Sequence, residues 1–326
     1  MKKKLSICIP TFNRAEILEG LLHKLIYEMK YLEKEVEICI SDNASTDETH
    51  NVIKSIIRNH KSISLKYKKN DNNLGFDKNC ELALRMGEGQ YKWIFSDDDY
   101  ILDGTLRKIL IKLDLDKPDL VFVNYKILLD NKELCSAARS DLIETNTIFK
   151  VAKKINLANT MVSSIIYSSD AMSKVDLEKP NGTFWYHFIL FYNIIDRMPE
   201  ARILYYGEPV IVQKGLTIEA SRKEKSYEYD GLLDFYVDAY FSLLKRIGEK
   251  EIFEKLGIIE YCESLLIRQL TYYRIGNVHQ NLRVKLRIIK HTKEFNFSIF
   301  DRILAFIILI TPRYLLSVAL KVRNFF

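Results

Sequence analysis

The chain has 326 residues and a mass of 38.3 kDa, with 48% hydrophobic and 28% charged residues, 12 Gly, 6 Pro and 5 Cys. This is globular composition, long enough for two domains at roughly 150 residues each, and it excludes a disordered, collagen-like or disulfide-scaffold chain. The net charge of +6 does not describe a nucleic-acid-binding surface: residues 274–326 carry ten Lys and Arg against two Asp and Glu, a net of +8, whereas residues 1–273 carry 39 against 41, a net of −2.

Residues 1–4 are basic, but the apolar stretch after them breaks at Pro10 within about six residues, short of the ~7–15 residue core of a signal peptide, so no export signal is expected. The cysteines (Cys8, Cys39, Cys80, Cys135, Cys262) are odd in number, lack a C-x-x-C spacing and sit mostly in apolar runs. They read as buried reduced thiols and favour a reducing compartment.

Residues 5–9, 36–40, 62–67 and 93–95 read as strands, and between them residues 15–29, 46–58 and 74–86 place apolar side chains at helical spacing. Ser45-Thr46-Asp47-Glu48 is a plausible helix start, and a further helix is expected to begin near Asp103. The alternation predicts an α/β domain with a mostly parallel sheet flanked by helices. Residues 119–215 mix short strands (120–124, 163–167, 202–206 and 210–212) with an aromatic helix around 184–195. After a charged loop at 217–229 the chain reads as helices. The expected domains are therefore 1–215, with a nucleotide half (1–125) and an acceptor half (126–215), and a helical region over 216–326.

Each early strand ends in a polar cluster: Pro10-Thr11-Phe12-Asn13-Arg14, Ser41-Asp42-Asn43, Asn72-Asn73-Leu74-Gly75 and Ser96-Asp97-Asp98-Asp99. Ligands of open parallel sheets sit at the carboxyl ends of the strands, so these clusters are expected to converge on one site. The three consecutive carboxylates repel one another unless a cation or hydrogen-bond donors are supplied. Mg²⁺ or Mn²⁺ would do this, since Mg²⁺ uses one or two carboxylates and leaves its other positions to water and phosphates; a capped turn before the next helix is the alternative. Gly87-Glu88-Gly89 imitates a dinucleotide fingerprint, but it follows a helix and precedes a strand, the wrong order.

Together these motifs resemble the inverting family 2 glycosyltransferases of the nucleotide-diphospho-sugar (GT-A) fold over about residues 4–125, and residues 91–100 and 161–167 are similar to the abequosyltransferase-like branch that builds bacterial surface polysaccharides. The resemblance implies a nucleotide held by Pro10, Thr11, Asn13, Arg14, Asp42, Lys78, Asp97 and Asp98, and a metal held by Asp97 and Asp99. A carboxylate such as Asp42 only accepts hydrogen bonds, which suits a base presenting a ring N–H and favours UDP, dTDP or GDP over a cytidine carrier; an Asx turn is its structural alternative. For Lys78 the alternative is a solvated helix face.

Family members commonly supply a carboxylate base at the start of the acceptor-side helix. The corresponding stretch, residues 181–187, has none. His187 is the first candidate because imidazole titrates near neutrality, with a buried core histidine as the alternative reading and Glu178 and Glu208 in reserve. Asp196, nine residues on, falls on the opposite helix face. Residues 302–310 are apolar, but Thr311-Pro312-Arg313 interrupts them well short of the ~20 residues a membrane span needs. A broken amphipathic pair on an anionic membrane surface is expected there, on the cytoplasmic side, where a lipid-linked glycan acceptor would be met; a helical hairpin packed on protein is the alternative. A non-catalytic sugar-binding or scaffold subunit is the second functional reading.

Overall fold

Strands β1 (Leu5–Thr11) and β2 (Val36–Asp42) pair in parallel from Leu5↔Val36 to Thr11↔Asp42, and every residue of both is buried. Near-continuous apolar runs of this kind are what a parallel sheet covered on both faces requires. The computed structural model describes residues 3–129, 132–134, 143–145, 161–177, 186–198 and 200–214, together with Ile303 and Ile307. The chain divides into two compact units, Met1–Gly215 and Leu216–Phe326, and the fold below is that of the first. The expectations for residues 216–326, apart from Ile303 and Ile307, lie outside the described residues.

Helices α1 (Ala15–Glu28), α2 (Thr49–Asn59) and α3 (Phe76–Met86) link β1, β2, β3 (Leu65–Lys69) and β4 (Tyr91–Ile94) as successive crossovers between parallel strands. The remaining elements are β5 (Asp99–Ile101), α4 (Thr105–Asp116), β6 (Leu120–Leu129), β7 (Lys132–Leu134), β8 (Ile143–Thr145), β9 (Ile165–Ser168), α5 (Ser169–Ser173), α6 (Tyr186–Arg197) and β10 (Ile203–Lys214). The sheet runs β3-β2-β1-β4-β9-β6-β10-β5, with β7 on β6 and β8 on β10. The sheet is parallel through β3-β2-β1-β4 and between β6 and β10, while β9 runs antiparallel to both β4 and β6, and β5, β7 and β8 run antiparallel to the strands they pair with. Helix α1 packs beside α2 and α4, while α3 lies against β1 and β2 and beside α6.

Several boundaries move for physical reasons. β1 runs two residues past its apolar core, because Pro10 follows the last β1–β4 pair, Cys8↔Ile94, where its missing N–H breaks no rung. β3 begins at Leu65 and carries three lysines on the sheet edge, a composition that discourages further strand pairing. Helix α2 begins at Thr49 rather than 46, because Asp47 Oδ1 accepts hydrogen bonds from the Thr49 N–H (3.1 Å) and hydroxyl (2.5 Å). The two short strands expected over 202–212 are one strand, β10, with register shifts around Pro209 against β6.

Helix α4 has no cap of its own. Its N-terminal N–H groups at Gly104 and Leu106 are met instead by the carboxylate of Glu28, from the end of α1, at 3.0 and 3.4 Å. A negative charge at a helix N-terminus is favourable, which accounts for a buried glutamate in this place.

The Gly87-Glu88-Gly89 segment is structural. The Gly89 N–H donates to Ser6 Oγ (2.8 Å), Ser6 donates to Glu37 Oε1 (2.6 Å), and Lys66 pairs with Glu37 (3.0 Å). A Cβ at Gly89 would lie 2.7 Å from Ser6 Oγ and 2.8 Å from the Ser6 backbone nitrogen, which cannot move without shifting β1. Gly89→Ala is accordingly expected to cost about 1–3 kcal/mol, the usual range for overpacking. A urea titration monitored by tryptophan fluorescence checks this, and an unchanged midpoint would refute it.

Candidate active site

Polar side chains bind the ends of β1, β2 and β4 to one another. Asn13 adopts a left-handed conformation (φ 52°) that asparagine tolerates well. It bridges the β1 and β2 loops: its N–H donates to Ser45 Oγ (2.9 Å) and its Oδ1 accepts from the Thr46 N–H (2.7 Å). Asp47 ties α1 to α2, accepting from the Ala15 N–H at 3.1 Å as well as from Thr49. Burial alone would raise its pKa, but these donors outweigh it and hold the carboxyl below the usual range.

Asp42 is fully buried at the end of β2. Its Oδ1 accepts from the Ser45 N–H (2.8 Å) and its Oδ2 from the Tyr67 hydroxyl (2.9 Å), and that hydroxyl is also 2.9 Å from His50 Nδ1. The neighbouring Asn43 donates to Asn73 Oδ1 (2.7 Å) and accepts from the Leu74 N–H (2.8 Å), which fixes the turn before α3. Gly75 there has φ 82°, the positive value expected of the Asn-x-Gly turn.

One residue that sequence reasoning passed over, Asn79 of α3, staples the strand ends from below. Its Oδ1 accepts from Ser41 Oγ (2.7 Å) and Asn70 Nδ2 (3.1 Å), while its Nδ2 donates to the carbonyls of Ser41 (2.9 Å) and Thr11 (3.3 Å). Its only sequence signal was its place on a helix after a polar turn.

The carboxylate triplet follows β4, and Asp99 opens β5 rather than a turn. Each carboxylate receives one hydroxyl: Thr11 Oγ1 donates to Asp97 Oδ2 (2.7 Å), Ser96 Oγ to Asp98 Oδ1 (2.5 Å), and Ser163 Oγ to Asp99 Oδ2 (2.6 Å). Arg14 adds a cation, with Nη1 3.1 Å from Asp98 Oδ2 and Nε 4.0 Å from Asp97 Oδ1. Asp97 and Asp99 are buried, whereas the Asp98 side chain is 42% exposed. Burial and then the Asp98 charge push Asp97 up to about 7, against the opposing pull of Arg14 and the Thr11 hydroxyl. Burial raises Asp99 well above the carboxylate range too, with Asp98 and Asp97 adding to it and the Ser163 hydroxyl working against it.

These carboxyls carry more negative charge than their surroundings neutralise, and all their donor atoms are hard oxygens, so the set fits a divalent cation of the Mg²⁺ or Mn²⁺ kind. Among the described residues no group of three or more His, Cys, Asp or Glu forms a ready metal cage. An ion that takes only one or two carboxylates and completes its shell with phosphate and water needs none.

The remaining candidates lie elsewhere. Lys78 Nζ pairs with Glu81 (2.6 Å), which also holds Arg85 Nε (2.7 Å), so Lys78 belongs here to an ion-paired helix face. His187 is 1% exposed in the first turn of α6, where its backbone carbonyl accepts from the Tyr167 hydroxyl (2.5 Å). Glu208 pairs with Lys108 (2.5 Å), which holds its carboxyl below the usual range. Glu178 lies outside the described residues, as do 181–185; of Asp196 only the backbone, in α6, is described.

A family model described as glycosyl transferase family 2 matches residues 6–175, just over half the chain and the whole of the β1–β4 site. The chain belongs to this family. Among curated relatives, this glycosyltransferase is 29% identical over 275 residues to the abequosyltransferase RfbV of Salmonella typhimurium, covering 78% of this chain and 80% of the relative. It is also 34% identical over 110 residues to the GalNAc(5)-diNAcBac-PP-undecaprenol β-1,3-glucosyltransferase of Campylobacter jejuni, covering 33% and 34% of the two chains. Among solved structures, Staphylococcus aureus TarS in complex with UDP-GlcNAc superposes with a TM-score of 0.67 at 17% identity, over 90% of this chain and 80% of that one. The mannosyltransferase PcManGT of Pyrobaculum calidifontis, in complex with GDP-Man and Mn²⁺, gives 0.59 at 12% identity over 95% and 87%. These likenesses establish the GT-A fold, a mostly parallel sheet flanked by helices.

Proposed function

We propose that this glycosyltransferase moves a sugar from a nucleoside-diphosphate sugar to a hydroxyl of a bacterial surface-glycan acceptor, with inversion and with a divalent cation. The observation that carries the reading is the convergence of Thr11, Arg14 and the Asp97–Asp99 triplet at the carboxyl ends of β1 and β4 in a family 2 chain. The abequosyltransferase likeness over most of the chain supports a surface-glycan acceptor, and the undecaprenol-linked substrate in the name of the Campylobacter relative supports a lipid-linked one.

In this reading Asn13 and Asp42 shape the nucleotide end, with Pro10 and Thr11 forming its floor. Although both Asp42 oxygens already accept protein hydrogen bonds, each retains a further lone pair for a ring N–H. Arg14 meets the diphosphate, and Lys78 reaches it after leaving Glu81. Asp97 and Asp99 hold the cation, which when bound offsets the negative charge developing on the departing nucleoside diphosphate. The acceptor oxygen attacks the anomeric carbon opposite the phosphate; the new carbon–oxygen bond forms as the carbon–phosphate-oxygen bond breaks, and the hydroxyl proton passes to a base. His187 is carried as that base because a neutral imidazole can accept the hydroxyl proton, and its burial means that the first turn of α6 must open for an acceptor to reach it.

Among the described residues no helix is long and apolar enough to cross a membrane. Ile303 and Ile307 are helical, exposed and one turn apart, which supports an apolar helix face; in this reading the basic residues of 274–326 set it against an anionic bilayer on the cytoplasmic side.

Thermal melts with UDP, dTDP, GDP and CDP, each with and without Mn²⁺, test the donor site. A Mn²⁺-dependent shift is expected with one of the first three and not with Asp99→Ala; no shift with any of them refutes it. In the same series His187→Gln is expected to bind nucleotide normally and lose turnover by at least about 100-fold, the scale of general-base catalysis. Full activity would remove His187 from the mechanism.

A further inference from the structure

Ser163 stands 64 residues from Asp99 in the sequence, in a turn of 3-10 helix (Val162–Ser164) that leads into β9. It is completely buried. Its hydroxyl does two things at once: it accepts from the Ser96 N–H at 2.8 Å and donates to Asp99 Oδ2 at 2.6 Å. Its carbonyl accepts from the Trp93 indole N–H at 2.8 Å, so its backbone is fixed independently of its side chain. With Asp99 ionised, as a cation ligand must be, the chain Ser96 N–H to Ser163 hydroxyl to Asp99 runs in one direction, since a carboxylate accepts and an amide N–H donates.

From this geometry we infer that Ser163 is a positioning residue for the cation site: it holds the Asp99 carboxylate in its ligating orientation and, by gripping Ser96, sets the path of the loop that carries Asp97 and Asp98 and leads into Asp99 at the start of β5. This rests on the reading of Asp97 and Asp99 as cation ligands. The other two hydroxyls act on the same loop from nearby, Thr11 from β1 and Ser96 from within the loop itself. Among the described residues, Ser163 brings a side chain to it from the segment that follows β6, β7 and β8, while the backbone of β10 pairs with β5 at Gln213↔Asp99, and the two join the part of the fold expected to face the acceptor to the part expected to hold the donor.

The physical consequence is specific. Without the hydroxyl, Asp99 stays buried but loses a donor that orients one oxygen, and the Ser96 N–H loses its acceptor. Outer hydrogen bonds of this kind typically set metal affinity by about 10–100-fold. A purely structural serine would change the melting temperature but not the affinity for the cation in the folded protein.

The test measures Mn²⁺ binding to the full chain by electron paramagnetic resonance, with a melting curve for each variant. Ser163→Ala is expected to weaken Mn²⁺ binding by about 10–100-fold, and Ser163→Thr, which keeps the hydroxyl, to restore most of it. In an Asp99→Asn background, Ser163→Ala should cause a smaller further loss than in the parent, because only its effect through Ser96 remains. If the alanine variant does not fold, Ser163→Cys, of similar volume with only a weak donor, replaces it and is expected to weaken binding in the same direction. Mn²⁺ affinity within twofold of the parent in a folded Ala or Cys variant overturns the role of Ser163. A parent chain that binds no Mn²⁺ overturns the cation reading beneath it, and with it this inference.

Discussion

Asp97→Asn is expected to make the protein more stable at pH 8 and to reduce sugar transfer by at least about 100-fold, the loss of a group that serves the departing charge. The Asp97 pKa is raised from 3.8 to about 7 in the folded chain, by burial first and the Asp98 charge second. The folded state therefore holds this proton more tightly than the unfolded state does. Its contribution to stability is present below the unfolded value and is lost as pH rises toward about 7. At one pKa unit per ~1.4 kcal/mol, the charged form costs up to about 4 kcal/mol above that pH.

Asparagine keeps an oxygen to accept the Thr11 hydroxyl and removes the charge. The melting temperature of the variant should accordingly exceed that of the parent at pH 8 and match it near pH 3.5. Added Mn²⁺ should stabilise the parent at pH 8 and leave the variant unmoved. Equal melting temperatures for the two proteins at pH 8 would show that Asp97 carries no such strain. The pairing of instability with activity is what an unneutralised charge held for a ligand produces, and it is the common form of the trade between stability and function.

Asn79→Ala is expected to destabilise the protein by about 2–6 kcal/mol, since the Ser41 hydroxyl and the Asn70 amide both lose a buried acceptor at about 1–3 kcal/mol each. The same change frees the ends of β1 and β2, because Asn79 Nδ2 bridges the carbonyls of Thr11 and Ser41. Nucleotide affinity should fall together with stability. A urea denaturation curve and a nucleotide titration on the surviving folded protein check both. A loss below about 1 kcal/mol would mean that water replaces the amide without strain.

The parallel arrangement of β1 to β4 and the polar clusters at their ends were legible in the sequence for a physical reason. Each depends on local pattern: apolar runs for buried strands, 3.6-residue spacing for helices, and Asn, Asp and Gly where the chain must turn. The Asn-x-Gly turn was legible for the same reason, and Gly75 has the positive φ it implies. Boundaries were less so, because they depend on partners from other segments. Helix α4 starts at Thr105 because Glu28 meets its first N–H groups, and the join of β10 across Gly207-Glu208-Pro209 depends on its pairing with β6.

What the sequence determined by itself was the order of α/β elements and the concentration of Thr11, Asn13, Asp42 and Asp97–Asp99 at one end of the sheet. These follow from short-range chemistry that any one segment displays. Only the tertiary structure decided how that end is held: one hydroxyl for each carboxylate, Asn79 beneath two strands, Tyr67 on Asp42, and His187 inside the core. A serine, an asparagine or a tyrosine carries no mark of its partner, and burial belongs to the packed chain rather than to the residue. Such roles exist only once segments far apart in the sequence are brought within hydrogen-bonding distance.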